Sequence, residues 1–196
     1  MSVMEMSHRS SVFVEIASRA EANLRNLLKI GEDYYVLFLQ GGATAQFSAF
    51  PMNLASPEDS IDYVATGSWS QKAIAECSKY CHANVIASSI ETGFDRVPEE
   101  ADWSLGSNSQ FVHICSNETI GGVQFKEFPS LDKILIADMS SELLSRQINI
   151  NDFGLIYAGA QKNIGPAGLT IVIVRKDLCS MVRPETPAVF NYRAQA

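Results

Sequence analysis

Residues 154–163 read Gly-Leu-Ile-Tyr-Ala-Gly-Ala-Gln-Lys-Asn, an apolar run that leads to a single lysine, Lys162. The apolar part is short, bounded by glycine and rich in strand-forming residues, which predicts a buried β-strand over 155–158. A lysine at the end of a buried strand can shift its pKa and form a Schiff base with an aldehyde. Most lysines are instead solvated surface groups, so a loop lysine without a chemical role is the alternative.

On both sides of this segment, short apolar runs, small-residue turns and helical patterns alternate. We predict strands over 34–39, 61–66, 84–87, 111–115, 133–137, 155–158 and 169–174. Strand, turn and helix in repeated succession predict an α/β domain with a mostly parallel central sheet that helices flank. In such sheets, ligands bind beyond the carboxyl ends of the strands.

The helical patterns predict three main helices. The first follows a cap at Ser10 or Ser11 and stops at Gly31, the second covers 45–54, and the third runs to about Tyr80. Pro51 lies inside the second helix, and we expect it to bend that helix or end it early.

Composition excludes several classes of function. The chain has 196 residues, 46% of them apolar, which allows one sizeable domain with its own core. The net charge of −7 argues against general nucleic-acid binding, which requires a basic face. No apolar run approaches the roughly 18 residues of a membrane span, and the N-terminus has no signal-peptide pattern. We therefore expect a cytoplasmic protein that binds neither nucleic acid nor membrane.

The four cysteines do not predict a metal site. Cys77 and Cys81 are four residues apart, with His82 beside them, so a metal pair on one helix face is conceivable. No second cluster of ligands accompanies this pair, and we expect no metal. Free thiols in a reducing compartment are the simpler interpretation.

Several polar residues follow the predicted strands. The Gly41-Gly42-Ala43-Thr44 segment between a strand and a helix offers free backbone N–H groups to a phosphate, although it could be merely a turn. Trp69 could stack on a flat ring, or it could be a core or interface residue. Asp138 ends an apolar strand, where a carboxylate is costly unless it is paired, and it could also cap the segment that follows.

Taken together, these groups suit a phosphorylated pyridine aldehyde. The aldehyde needs a lysine, and the ring nitrogen needs an acid that keeps it protonated so that the ring can accept electrons. The phosphate needs a helix N-terminus, and the ring face needs an aromatic side chain.

Five segments, at 4–9, 37–47, 51–54, 137–141 and 157–163, carry a resemblance to a known family. In these segments the sequence resembles the phosphoserine aminotransferases, which belong to the class V, fold-type I aminotransferases. The resemblance covers essentially the whole chain in the right order. The Ala-Gly-Ala-Gln-Lys-Asn motif that contains Lys162 is highly specific to this family.

The resemblance implies pyridoxal 5'-phosphate as the cofactor and a role for each site residue. Lys162 binds the cofactor covalently and transfers protons, Asp138 pairs with the pyridine nitrogen, and Trp69 stacks on the ring. Thr119, which has no signal of its own, bonds the phenolic oxygen. The implied ligands of the cofactor phosphate are Ala43, Thr44 and Gln161.

The resemblance also implies that His8 and Arg9 bind the phosphate or the distal carboxylate of the substrate. By themselves, these two residues would be interpreted as part of a solvated loop. A bidentate guanidinium suits either anion.

The implied reaction transfers an amino group between O-phospho-L-serine and 2-oxoglutarate, with 3-phosphohydroxypyruvate and L-glutamate on the other side, in L-serine biosynthesis. The implied full-length form is a homodimer. Family members begin with a further segment and continue into a small C-terminal domain with an arginine for the substrate α-carboxylate. We therefore expect residues 1–196 to be a partial pyridoxal-phosphate-binding large domain without the small domain.

Two alternatives remain open. The chain could belong to another class V enzyme, such as an alanine–glyoxylate aminotransferase. It could also be an inactive, truncated fragment that binds the cofactor or supports dimerisation. An absorbance band from a lysine-bound cofactor without turnover would separate this fragment from an active enzyme.

Overall fold

Runs of β-branched and aromatic residues form a seven-stranded central sheet in the computed structural model, which describes residues 2–180 and 182–196. The strands are β1 (Tyr34–Leu39), β2 (Ser60–Ala65), β3 (His82–Ser88), β4 (Ser109–Cys115), β5 (Asn117–Glu118), β6 (Val123–Gln124), β7 (Ile134–Asp138), β8 (Phe153–Gly159) and β9 (Thr170–Arg175). β5 and β6 form a separate two-stranded hairpin that the sequence patterns did not predict.

The central sheet has the strand order β1-β9-β8-β7-β4-β2-β3. Within the segment β8-β7-β4-β2-β3, each adjacent pair of strands is parallel, which confirms the predicted α/β sheet. β9 is antiparallel to both β8 and β1. The connection from Gly159 to Thr170 explains this reversal, because parallel neighbours need a crossover of a dozen or more residues.

The helices are α1 (Ser11–Leu28), α2 (Gly42–Leu54), α3 (Ser68–Cys77) and a short α4 (Tyr192–Gln195). The predicted first helix is confirmed as α1, and its cap is Ser10, whose Oγ accepts a hydrogen bond from the backbone N–H of Phe13 at 3.3 Å. α1 ends at Leu28 instead of continuing to Gly31, because Lys29 adopts a left-handed conformation with φ 54°. No helix within 2–180 or 182–196 combines the length and the apolar character that crossing a membrane requires.

Two further helix boundaries were predicted wrongly. α2 begins at Gly42 instead of residue 45, and Pro51 does not end it early, because the helix continues to Leu54. Pro51 removes one N–H donor near the end of the helix, while its own carbonyl still accepts from Ala55 at 3.1 Å. α3 ends at Cys77 rather than near Tyr80, and the backbone then tightens into a turn.

Apolar side chains cover both faces of the sheet. Along β8 they alternate, with Leu155 and Tyr157 in one core cluster and Ile156 and Ala158 in the other. The first cluster packs under α2 and α3, and the second packs under α1 and the turn that follows β7. Because every residue of β8 is buried, the strand that leads to Lys162 is held on both sides.

A buried ion pair joins β2 to the start of β7. The Asp62 carboxylate is fully buried, and it accepts hydrogen bonds from Lys133 Nζ at 3.0 Å and Asn84 Nδ2 at 2.8 Å. The Gly106 N–H donates to the same carboxylate at 3.0 Å, and Lys133 Nζ also donates to the Ser109 carbonyl at 2.8 Å. Each charge is therefore paired and further satisfied, as buried charges must be.

We predict that Lys133→Met lowers the free energy of unfolding by about 3–5 kcal/mol, because it leaves the Asp62 carboxylate buried without its cation. Arg96→Met is the matched control, since the Arg96–Asp95 pair is exposed and should contribute at most about 1 kcal/mol. Urea denaturation of both variants measures the difference. Equal costs for the two substitutions would contradict a structural role for the buried pair.

Candidate active site

A cavity of about 110 Å³ lies at the carboxyl ends of the parallel strands. Six of the predicted site residues line it: Ala43, Thr44, Trp69, Asp138, Gln161 and Lys162. A larger groove of about 700 Å³ between residues 95–103 and 122–129 contains none of the predicted site residues. The small cavity is therefore the place where the predicted chemistry converges.

The parallel register of the sheet brings these residues together. Cys115 at the end of β4 pairs with Asp138 at the end of β7, and Asp138 pairs with Tyr157 in β8. The loops that leave these three strands consequently start at the same edge. Asp138 and Lys162 reach one cavity although they are distant in the sequence.

Lys162 lies in the turn after β8, at the exposed mouth of the cavity. Its Nζ donates hydrogen bonds to Thr119 Oγ1 at 2.7 Å and to Ser141 Oγ at 2.8 Å. The same nitrogen lies 5.6 Å from the centroid of the Trp69 ring. Lys162 and Thr119, which were predicted independently of any contact between them, are thus directly hydrogen-bonded.

Asp138 is almost fully buried, with 5% of its surface exposed. Burial raises the pKa of its carboxyl from 3.8 to about 6, while hydrogen bonds from Ser140 and the charge of Lys162 oppose that rise. Asp138 Oδ1 accepts from the Ser140 N–H at 2.9 Å and from Ser140 Oγ at 2.6 Å.

The two interpretations of Asp138 prove compatible. Oδ1 caps the turn that follows β7, which is the capping role that the sequence analysis offered as an alternative for Asp138. No residue in 2–180 or 182–196 donates a hydrogen bond to Oδ2, so this second oxygen of a cavity-lining carboxylate is available to a ligand.

The N-terminus of α2 forms one wall of the cavity. Gly41 and Gly42 have positive φ angles of 92° and 66°, which lets the chain turn directly from β1 into the helix. A side chain at Gly41 would place its Cβ only 2.5 Å from that of Ala45. The first helical hydrogen bond runs from the Ala45 N–H to the Gly41 carbonyl. The N–H groups of residues 42–44 therefore have no acceptor among the described residues and suit an anion.

Glu118 organises the side of the cavity that contains Trp69, although sequence patterns did not single it out. Its fully buried carboxylate accepts from the backbone N–H groups of Trp69 at 2.9 Å and Ser70 at 2.7 Å, and from Ser70 Oγ at 2.8 Å. The carboxylate therefore caps α3 from another element and satisfies its first donors. The carboxylate also fills the space next to Gly67: a Cβ atom added at Gly67 would lie 2.6 Å from Glu118 Cδ.

Other cavity residues were also missed. Ser140, Ser141, Cys115 and Asn117 line the cavity, and the Ser140–Ser141 pair directly follows Asp138 in the sequence. Their position just after predicted strands was the available signal. A polar residue at such a position could equally have been part of a solvated turn, so the sequence did not separate them from other loop residues.

His8 and Arg9 lie apart from this cavity. Both are exposed in the turn that precedes α1, and neither lines the cavity. Their assignment as substrate ligands stays a prediction. Gln161 is also exposed, but it does line the cavity beside Lys162.

We predict that Asp138→Asn changes how stability depends on pH. The unfolded carboxyl loses its proton near its usual pKa of 3.8, whereas the folded one loses it at about 6. The unmodified chain should therefore lose stability as the pH rises between these values, by about 3 kcal/mol at roughly 1.4 kcal/mol per pKa unit. The asparagine variant should lack this loss.

Urea denaturation at about pH 4 and about pH 7, spanning both pKa values, measures the effect of Asp138→Asn. Asp132→Asn, which alters an exposed carboxylate, is the control. Its free energy of unfolding should depend on pH as that of the unmodified chain does. If Asp138→Asn and the unmodified chain have the same pH dependence, the raised pKa is wrong.

Comparison with known proteins agrees with this geometry. A family model described as aminotransferase class-V matches residues 2–190. The chain is 54% identical to the phosphoserine aminotransferase of Ectopseudomonas mendocina, over 100% of this chain and 55% of the relative. It is 51% identical to phosphoserine aminotransferase 2, chloroplastic, of Arabidopsis thaliana, over 98% of this chain and 46% of the relative.

Solved structures share the fold. The phosphoserine aminotransferase from Bacillus circulans subsp. alkalophilus superimposes with a TM-score of 0.93 at 45% identity, covering 99% of this chain and 54% of that one. The pyridoxal-phosphate-bound phosphoserine aminotransferase from Trichomonas vaginalis superimposes with a TM-score of 0.90 at 39% identity. The match covers 100% of this chain and 55% of that one. The chain spans about half the length of the relatives that it matches.

Proposed function

Because the chain belongs to the class-V aminotransferase family, we propose that it forms the cofactor-binding part of a phosphoserine aminotransferase. The proposed reaction transfers an amino group between O-phospho-L-serine and 2-oxoglutarate, in L-serine biosynthesis. One observation carries the proposal: Lys162 Nζ is held by Thr119 and Ser141 in a cavity that also contains Asp138 and the start of α2. The relatives named above supply the substrate class.

The residues present fit pyridoxal phosphate. Asp138 Oδ2 has no donor among the described residues, which suits a protonated ring nitrogen. The N–H groups of residues 42–44, which have no acceptor in the described part of the chain, suit the phosphate, together with Gln161. Trp69 offers an aromatic face, and Lys162 offers the amine that an aldehyde requires.

When bound, pyridoxal phosphate supplies a ring that accepts the electrons released at the substrate α-carbon. Asp138 would offer a negative charge to the ring nitrogen, since a carboxyl with a pKa of about 6 is ionised at neutral pH. Its low exposure strengthens this interaction, because little water screens it.

Lys162 Nζ is the group that removes and returns the substrate proton. The Thr119 and Ser141 hydroxyls fix the position of this nitrogen at the mouth of the cavity. The indole of Trp69 would cover one face of the ring and keep water away from it, while Glu118 holds the backbone of Trp69 in place. Positioning of this kind accounts for a large part of the rate in such reactions.

We predict that the chain incubated with pyridoxal phosphate develops the absorbance of a lysine-bound cofactor. After borohydride reduction, the label should lie on the tryptic peptide that contains Lys162. Lys162→Ala should abolish the band, and Lys72→Ala should keep it. Lys72 is a stringent control, because its Nζ lies 4.3 Å from the Trp69 centroid, closer than the 5.6 Å of Lys162. A label on Lys72 would disprove the assignment.

The substrate assignment is tested with the same cofactor-loaded protein. Formation of L-glutamate from O-phospho-L-serine and 2-oxoglutarate is compared with formation of glycine from L-alanine and glyoxylate. Preference for O-phospho-L-serine supports the proposal, whereas preference for L-alanine with glyoxylate favours the alternative class V activity. A lysine-bound cofactor with no turnover on either pair would favour a fragment that only binds the cofactor.

His8 and Arg9 are proposed to bind an anionic group of the substrate. We predict that Arg9→Ala raises the KM for O-phospho-L-serine by roughly ten- to a hundredfold, because a hydrogen bond to a charged group contributes about 1.5–3 kcal/mol. The absorbance of the lysine-bound cofactor should not change. Arg19→Ala, at an exposed position of α1, is the control for a lost positive charge. An unchanged KM in Arg9→Ala would remove Arg9 from the substrate site.

A homodimer in a reducing compartment such as the cytoplasm completes the proposal. The free state of all four cysteines supports a reducing compartment. Light scattering of the protein at several concentrations tests the dimer.

A further inference from the structure

The two cysteines at the end of α3 lie unusually close together. Cys77 is the last residue of α3, and Cys81 directly precedes β3. Their Sγ atoms are 3.4 Å apart, and the backbone between them is fixed by a hydrogen bond from the Cys81 N–H to the Cys77 carbonyl at 3.1 Å. A disulfide bond is about 2.05 Å long, so side-chain rotation would have to close roughly 1.4 Å.

The two sulfur atoms are not equivalent. The hydrogen bond from the Cys77 thiol lowers the pKa of Cys81, and the positive charge of Arg183 lowers it further, against the opposing effects of burial and Asp59. Arg183 is held next to this site, because its Nη2 donates to the Tyr80 carbonyl at 3.0 Å and its Nε donates to the Ala55 carbonyl. The pKa of Cys77 is raised, mainly by the same hydrogen bond and by burial. Of the two thiols, Cys81 is therefore the one that loses its proton more readily, and Cys77 is the one that keeps it.

The other two cysteines provide an internal comparison. Burial raises the pKa of Cys179 to about 11, and it raises that of Cys115 beyond its usual range. Within 2–180 and 182–196, neither has a sulfur atom within hydrogen-bonding distance. Cys77 and Cys81 thus form a site that the remaining thiols of the chain do not reproduce.

Metal binding does not explain the pair. No group of three or more histidine, cysteine, aspartate or glutamate side chains in the described residues is arranged to hold a metal ion. Two thiols alone fall short of the four ligands of a structural zinc site. Two adjacent thiols of unequal acidity are instead the arrangement that two-step thiol oxidation requires.

We propose that Cys77 and Cys81 are a modification site at which a hydroperoxide forms a reversible disulfide bond. The Cys81 thiolate attacks the terminal oxygen of the hydroperoxide, the O–O bond breaks, and the leaving alkoxide or hydroxide takes up a proton. The Cys77 sulfur then attacks the sulfenic sulfur of Cys81, the S–O bond breaks, and hydroxide leaves as water with the proton of Cys77. In total, two thiols lose two hydrogen atoms while the hydroperoxide is reduced to an alcohol, or to water, and one further water.

The sequence allows a direct test of the bond. Trypsin cleaves after Lys72, Lys79 and Arg96, so Cys77 and Cys81 fall on separate peptides, 73–79 and 80–96. The folded chain is treated with hydrogen peroxide at neutral pH, its remaining thiols are blocked with N-ethylmaleimide, and the digest is analysed without reductant. We expect to find the two peptides as one linked species, with a mass two hydrogen atoms below the sum of the separate peptides. Reduction should separate them again.

The linked species should form on the order of tenfold or more faster than oxidation of Cys179, whose thiolate fraction is smaller. Oxidation of Cys115 or Cys179 before any linked species appears would overturn the proposal. This measurement uses the unmodified chain, so it decides the question even if the variants below do not fold.

Two serine variants test the separate roles of the sulfur atoms. In Cys77→Ser, oxidation should stop at the sulfenic acid of Cys81, which dimedone traps on peptide 80–96. In Cys81→Ser, Cys77 should remain unlabelled, because burial still raises its pKa after the hydrogen bond to the Cys81 sulfur is lost. Labelling of Cys77 in Cys81→Ser, with none of Cys81 in Cys77→Ser, would overturn the order of attack.

Discussion

The parallel register of β4, β7 and β8 is the constraint on which the cavity depends. Pairing of Cys115 with Asp138, and of Asp138 with Tyr157, aligns three strand ends in one row. Hydrogen bonds reinforce this row beyond the strands, because both the N–H and the Oγ of Ser116 donate to the Asp138 carbonyl at 3.0 Å. A shift of one residue would turn Asp138 towards the other face of the sheet and remove it from the cavity.

The sequence predicted all seven strands of the central sheet, because each contains a short apolar run that a local pattern reveals. It missed the β5–β6 hairpin, whose strands are only two residues long. The same reasoning placed Asp138 and Lys162 at the sheet edge where ligands bind. It failed where the outcome depended on backbone geometry. The start of α2 was predicted three residues late, because the positive φ angles of Gly41 and Gly42 open the helix earlier than the apolar pattern begins.

Glu118 illustrates a second limit of sequence analysis. A glutamate in a polar turn is usually solvated, yet here its carboxylate is fully buried and bonded to the first turn of α3. The partners are about fifty residues away in the sequence, so no local pattern could reveal them. Glu118 precedes Thr119, which accepts from Lys162, and it caps the helix that carries Trp69. A single buried charge therefore links two of the predicted site residues.

The two buried aspartates, Asp62 and Asp138, differ in how far their carboxylates are paired. Asp62 has both oxygens occupied, by Lys133, Asn84 and the Gly106 N–H. Asp138 has one oxygen bonded to Ser140 and no donor to the other among the described residues, and burial raises its pKa to about 6. A half-satisfied buried carboxylate opposes folding, because water no longer solvates its charge. Asp138 lines the cavity together with Lys162, and under the proposed function a cationic group of the cofactor would complete the pairing that the described residues leave open.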